Sequence, residues 1–239
     1  MWRAAVAAMI ATAAVTEAEA ACRQALALGL DVSGSVDAGE YRLQLDGLAN
    51  ALESPEVREI LLGAPDWPVR IAVYEWSGPR NFNRRLLVDW QDIHTETDLS
   101  HVTTRLRDTQ RRPADPSTAL GAAMAFGLSL LEQQSECPKR TLDISGDGKS
   151  NTGPRPRDIP LPDWITINGL VVVPRDQGQT PDAAELTAYY TANVLHGVDA
   201  FVEAADGFKD YERAMRRKLL RELQGLNLSQ FFRNGHPHL

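Results

Sequence analysis

The run Ala25–Leu30 (ALALGL) carries no polar side chain, and this constrains the fold more than any other stretch. A strand with one wet face alternates polar and apolar residues, whereas an unbroken apolar run belongs to a strand covered on both faces, as in a parallel sheet. Parallel neighbours need long crossover connections, usually helices. The chain supplies them. Asp37-Ala-Gly-Glu40 reads as a capping box, and Tyr41, Leu45, Leu48 and Leu52 follow it at helical spacing.

The same alternation continues. Val69–Trp76 (VRIAVYEW) reads as a strand, and Arg84–Trp90 (RRLLVDW) as a second that pairs with it as a hairpin across a Gly-Pro-Asn loop. Leu99–Leu106 is helical, RRPADPST (111–118) breaks it, and the small and apolar residues of 119–131 suit a helix packed tightly on a sheet. Arg140–Ile144 is a strand running into SGDGKSNTG; after a Pro-rich loop at 153–162 come a strand at 165–173, a helix at 181–195, a strand at 198–204 and a closing helix at 208–223. The expected fold class is therefore α/β: a Rossmann-like, doubly wound, mainly parallel sheet with one antiparallel edge strand and helices on both faces.

Such a sheet binds ligands outside the carboxyl ends of its strands, where the winding reverses. Three segments end there. Asp31, Ser33 and Ser35 follow the first strand, Thr118 precedes the small-residue helix, and Asp147 follows LDISGD. All five are hard oxygen donors, and together they supply about five of the six positions that Mg²⁺ or Mn²⁺ takes. No His/Cys set accompanies them, which disfavours zinc or copper.

These segments resemble the von Willebrand factor A (VWA) domain. The residues that carry the resemblance are DVSGSV (31–36), STALGAAM (117–124) and ISGDG (144–148), in the order of that family's metal-ion-dependent adhesion site. The chain looks most like a bacterial group of exported VWA-like proteins of unassigned function, with EWSG at 75–78, SGDG at 145–148 and GVDAFVEAADGF at 197–208. The resemblance implies direct metal contact from Ser33, Ser35 and Thr118, and contact largely through water from Asp31 and Asp147. It also implies an open position filled by an Asp or Glu of a partner protein. DPST stands where many VWA domains have a glycine, so Ser117 competes with Thr118 as the donor.

In a sheet of this type the strands ending at Asp31 and Asp147 are neighbours, and Cys22 and Cys137 precede those acids by nine and ten residues. At about 3.3 Å per residue both cysteines reach the opposite end of the sheet, where a disulfide is feasible. Asp143, inside a central strand, is expected to be hydrogen-bonded to loop backbone in support of the site, and Trp76 to pack the core or rim the metal cleft. The basic helix at 212–223 reads as a solvated face, with a membrane-surface or anionic-partner helix as the alternative.

Residues 1–20 read as a secretory signal, with a lone Arg3, an apolar stretch and an A-x-A pattern at 18–20. Residues 21–230 then form the domain and 231–239 a flexible tail. The expected location is the periplasm or beyond, with a lipid anchor on Cys22 as the alternative. The formal charge of −7 disfavours a nucleic-acid partner, and none is expected.

Two rivals remain. One is a VWA scaffold without metal, binding through another surface. The other is a Mg-dependent phosphatase of the haloacid dehalogenase type, which GDGKSN (146–151) resembles; there the acid/base is a second Asp two residues after the nucleophile, where this chain has Ser33, and the later acid falls on Asn151. A serine hydrolase lacks its G-x-S-x-G elbow, and the histidines at 94, 101, 196, 236 and 238 form no recognisable pairing. No catalytic residues are therefore assigned.

Overall fold

The computed structural model describes residues 22–173 and 182–233. Six strands form one sheet: β1 (Gln24–Asp31), β2 (Val69–Trp76), β3 (Arg84–Ile93), β4 (Lys139–Gly146), β5 (Ile165–Val172) and β6 (Val202–Ala205), in the spatial order β3-β2-β1-β4-β5-β6. Every neighbouring pair is parallel except β2–β3. All eight residues of β1 are buried, as its unbroken apolar run requires at the centre of the sheet.

Strand pleating sorts the core into two layers. Leu26, Leu28 and Leu30 face the layer formed with α1 (Ala38–Glu53), α2 (Pro55–Leu62), α3 (Glu96–Asp108) and α6 (Tyr211–Arg233). Ala25 and Ala27 face the layer formed with α4 (Leu120–Glu132) and α5 (Ala183–Asn193). Each fully buried leucine contributes about 1.5–3 kcal/mol of transfer free energy, so the sandwich is held chiefly by these two apolar layers.

Local signals fix the helix ends. Asp37 caps α1 by accepting from the Glu40 amide at 2.8 Å, while Glu40 accepts from the Asp37 amide at 2.9 Å. The sequence reading did not include α2, although Pro55 in its first turn is a start signal. The last strand begins at Val202 and not at Val198. Gly197 (φ 90°) and Asp199 (φ 61°) turn the chain off the sheet there, and Val198 stands 86% exposed. The closing helix runs on to Arg233, ten residues past its expected end.

Cys22 and Cys137 form a disulfide at the amino ends of β1 and β4, with Cα atoms 5.0 Å apart. Both are fully buried. The expected leader at 1–20 and residues 234–239 of the expected tail lie outside the described residues. No described helix is long and apolar enough to cross a membrane.

Candidate metal centre

The reversal of strand order falls between β1 and β4, and Asp31 ends β1 there. Register pairs Asp31 with Trp76 on one side, and Leu30 with Ser145 on the other, so Asp147 emerges just beyond its neighbour strand. The DVSGSV turn then folds back over the strand ends. Asp31 holds the turn, accepting from the Ser33 amide at 2.8 Å through Oδ1, while Gln44 of α1 donates to the Asp31 carbonyl at 3.0 Å.

The five predicted donors meet in one chain of contacts. The Ser35 hydroxyl donates to Asp147 Oδ1 at 2.7 Å and lies 3.4 Å from Ser33 Oγ; the Thr118 hydroxyl donates to Ser33 Oγ at 3.3 Å. Ser33 and Asp31 are fully buried, Thr118 and Asp147 nearly so, and Ser35 is exposed. The cluster therefore opens to solvent at Ser35.

Electrostatics leave the cluster unfinished. Asp31 Oδ2 is buried without a hydrogen-bond partner among the described residues. Burial, and then the charge of Asp147, push the Asp31 carboxyl up to about 8. Burial also raises Asp147, against a lowering from the Ser35 hydrogen bond. Two carboxylates held together out of water without a counter-charge are what a bound cation relieves. The donor set, two carboxylates and three hydroxyls, suits a hard divalent ion. Among the described residues no three His, Cys, Asp or Glu side chains gather as metal ligands, so hydroxyls are integral to any such site.

Thr118 is positioned by a residue the sequence reading assigned no role in this site. Asn151 accepts from the Thr118 amide at 2.9 Å through Oδ1 and donates its own amide to the Thr118 carbonyl at 2.9 Å. Ser117 is engaged elsewhere, its hydroxyl donating to Asp115 at 2.6 Å. That leaves Thr118 alone facing Ser33.

Tyr190 of α5 is the other residue not foreseen. It is fully buried, its hydroxyl has no hydrogen-bond partner among the described residues, and burial followed by the charges of Asp31 and Asp147 raises its pKa. A Cβ on Gly146 would lie 2.6 Å from that hydroxyl and 3.0 Å from Asp31 Oδ2, so both orphaned oxygens face the bare Cα of this glycine. No local motif signals Tyr190, because α5 reaches the site only through the winding of the sheet.

Asp143 sits differently from the sequence reading, whereas Trp76 takes the core-packing role of the two expected of it. Asp143 projects to the opposite layer, where it forms a buried ion pair with Lys218 of α6 in place of the expected loop backbone. Lys218 also pairs with Glu222 at 2.7 Å, and Asn168 donates to Glu222 at 2.6 Å. Trp76 is fully buried in the α4/α5 layer and forms no rim.

Solved structures share this architecture. Proximal thread matrix protein 1 from the mussel byssus, in a form with a zinc-occupied MIDAS motif, superposes with a TM-score of 0.57 at 13% identity, over 86% of this chain and 47% of that one. The von Willebrand factor type A protein from Catenulispora acidiphila gives 0.53 at 13%, over 84% and 43%. The vWF domain of the type V pili tip protein Mfa5 from Porphyromonas gingivalis gives 0.53 at 9%, over 87% and 96%. The chain spans about half the length of the first two. At these identities the likeness establishes the fold, which is the VWA fold. No curated protein matches the sequence. The profile of the family described as "Protein of unknown function (DUF1194)" matches residues 21–227, and the chain belongs to that family.

Proposed function

We propose that this protein is an exported, non-enzymatic adhesion or scaffold module that captures an Asp or Glu of a partner protein through a Mg²⁺ or Mn²⁺ held by Asp31, Ser33, Ser35, Thr118 and Asp147. The observation that carries the reading is Asp31 Oδ2, buried and unpartnered beside a second carboxylate at the reversal of the sheet. Ser33, Ser35 and Thr118 donate neutral oxygens, so the cluster brings only two negative charges to a divalent ion and leaves it attractive to a further carboxylate. Ser35, at the exposed edge, marks the direction from which that carboxylate arrives.

The neighbours that include a pili tip protein and a byssal thread protein support a binding role, and the disulfide supports an oxidising compartment. The phosphatase alternative loses ground at Asn151, whose side chain is engaged with the Thr118 amide, and at Ser33, which cannot replace a carboxylate as general acid.

Calorimetric titration of the oxidised protein with Mn²⁺ and Mg²⁺, beside Asp31→Ala and Thr118→Ala, tests the site. One ion bound by the native sequence and lost in both variants supports it; no heat in the native protein defeats it. Turnover of an aryl phosphate, abolished by Asp31→Asn, would instead establish the phosphatase.

A further inference from the structure

The EWSG stretch at 75–78 has no part in the cluster of oxygens, yet it shapes the floor of a cleft of about 390 Å³ beside it. Val32, which lies between Asp31 and Ser33 in the chain, lines the cleft. Glu75 and Ser77 line the floor, Phe82 stands at the mouth 75% exposed, and the 112–115 segment closes the far side. We propose that this cleft receives a second carboxylate from the same partner segment that offers its first to the metal. The inference rests on the metal reading and extends it to the chemistry of the partner: an acidic segment with two carboxylates, not one.

Three observations carry it. The lining holds three arginines against two carboxylates, in a chain whose formal charge is −7. Both carboxylates are already satisfied: Glu75 accepts from the Tyr41 hydroxyl at 2.8 Å and pairs with Arg85 at 2.8 Å, and Asp115 accepts from the Ser117 amide at 3.0 Å and its hydroxyl at 2.6 Å. Of the arginines, Arg84 donates to the Pro79 carbonyl and to Asn81, and Arg85 is held by Glu75. Arg112 is exposed and acts on Glu75 through its charge, but it has neither a hydrogen bond nor an ion pair with a described residue, so its guanidinium is free to pair with a ligand. Finally, Ser77 is 1% exposed, and its hydroxyl has no hydrogen-bond partner among the described residues.

A buried hydroxyl left unpaired keeps an uncompensated desolvation cost. A carboxylate accepting from Ser77 and paired with Arg112 removes that cost and gains a charge-assisted contact. Phe82, with the Arg80 guanidinium 5.8 Å from its ring centroid, adds an aromatic and cationic rim of the kind that anchors protein interfaces.

The test is fluorescence anisotropy of labelled deca-glutamate, which offers a carboxylate at every spacing, with deca-glutamine and oligo-dT as comparison probes. The oxidised full chain is titrated in Mg²⁺ and in EDTA, beside Arg112→Gln, Ser77→Ala and Thr118→Ala. The expected result is preference for deca-glutamate, with a loss of about fivefold for Arg112→Gln that persists in EDTA, where Thr118→Ala has no further effect. If Arg112→Gln and Ser77→Ala bind as the native protein while EDTA abolishes binding, the cleft is refuted and the metal reading stands. If binding ignores Mg²⁺ but falls in Arg112→Gln, the metal reading fails and the cleft stands. Absence of deca-glutamate binding, or tighter binding of oligo-dT, overturns the assignment to a peptide carboxylate.

Discussion

Reduction of the Cys22–Cys137 bond is a perturbation whose size follows from the chain itself. The bond closes a loop with a sequence separation of 115 residues. In the chain-entropy description this removes about 16 cal/mol/K from the unfolded ensemble, or about 4.8 kcal/mol at 25 °C. With an unfolding entropy of about 2.1 cal/mol/K per residue over roughly 200 residues, that corresponds to a fall of about 11 °C in Tm. Both sulfurs sit in the apolar α4/α5 layer, so reduction leaves packing nearly unchanged and isolates the loop term. Urea unfolding of oxidised protein and of protein held reduced in excess reductant measures it. The reduced form should lose between about 2 and 5 kcal/mol and show a larger m-value, since its unfolded chain is less compact. Coincident transitions would refute the reasoning, as would two free thiols in oxidised protein unfolded without reductant. Metal titration supplies the control: the bond lies at the amino ends of β1 and β4, away from the oxygen cluster, so divalent-ion affinity should be the same in both forms.

Gly146→Ala places a Cβ against the Tyr190 hydroxyl and Asp31 Oδ2, and should cost about 1–3 kcal/mol of stability together with divalent-ion affinity; native affinity by calorimetry would contradict the placement. Tyr190→Phe removes a buried hydroxyl that lacks a partner, so thermal melts should show it neutral or stabilised by about 1 kcal/mol, whereas a clear loss would reveal a hydrogen bond. Lys218→Met leaves Asp143 and Glu222 as buried carboxylates without their cation and should destabilise by about 3–5 kcal/mol in urea. Combining it with Asp143→Leu and Glu222→Leu should recover most of that loss, and a single variant as stable as the native chain would show the cluster to be solvated.

Much of the sheet was legible because burial leaves a direct mark on sequence: β1 is apolar at every interior position, and β2 was read with the same bounds, Val69–Trp76. The oxygen cluster was legible for a similar reason, since Asp31, Ser33 and Ser35 stand at alternate positions of one turn and their chemistry is visible in their type. What escaped depends on long-range placement. Asp143 meets Lys218 across 75 positions, and nothing near either residue signals the other. Tyr190 reaches Asp31 by way of the sheet winding. The late start of β6 turns on two positive φ values, one at an aspartate, which hydrophobicity does not report.

The ends of β1 and β4 give the domain a mechanical axis. One end of this strand pair is joined covalently by the disulfide; the other carries the Asp31 and Asp147 turns. On the proposed reading, tension between a captured partner and the disulfide end would run lengthwise along two adjacent central strands, each about 26 Å from end to end at 3.3 Å per residue. That direction loads the interstrand hydrogen bonds in shear, many at once, and the covalent tie makes both strands bear the load together.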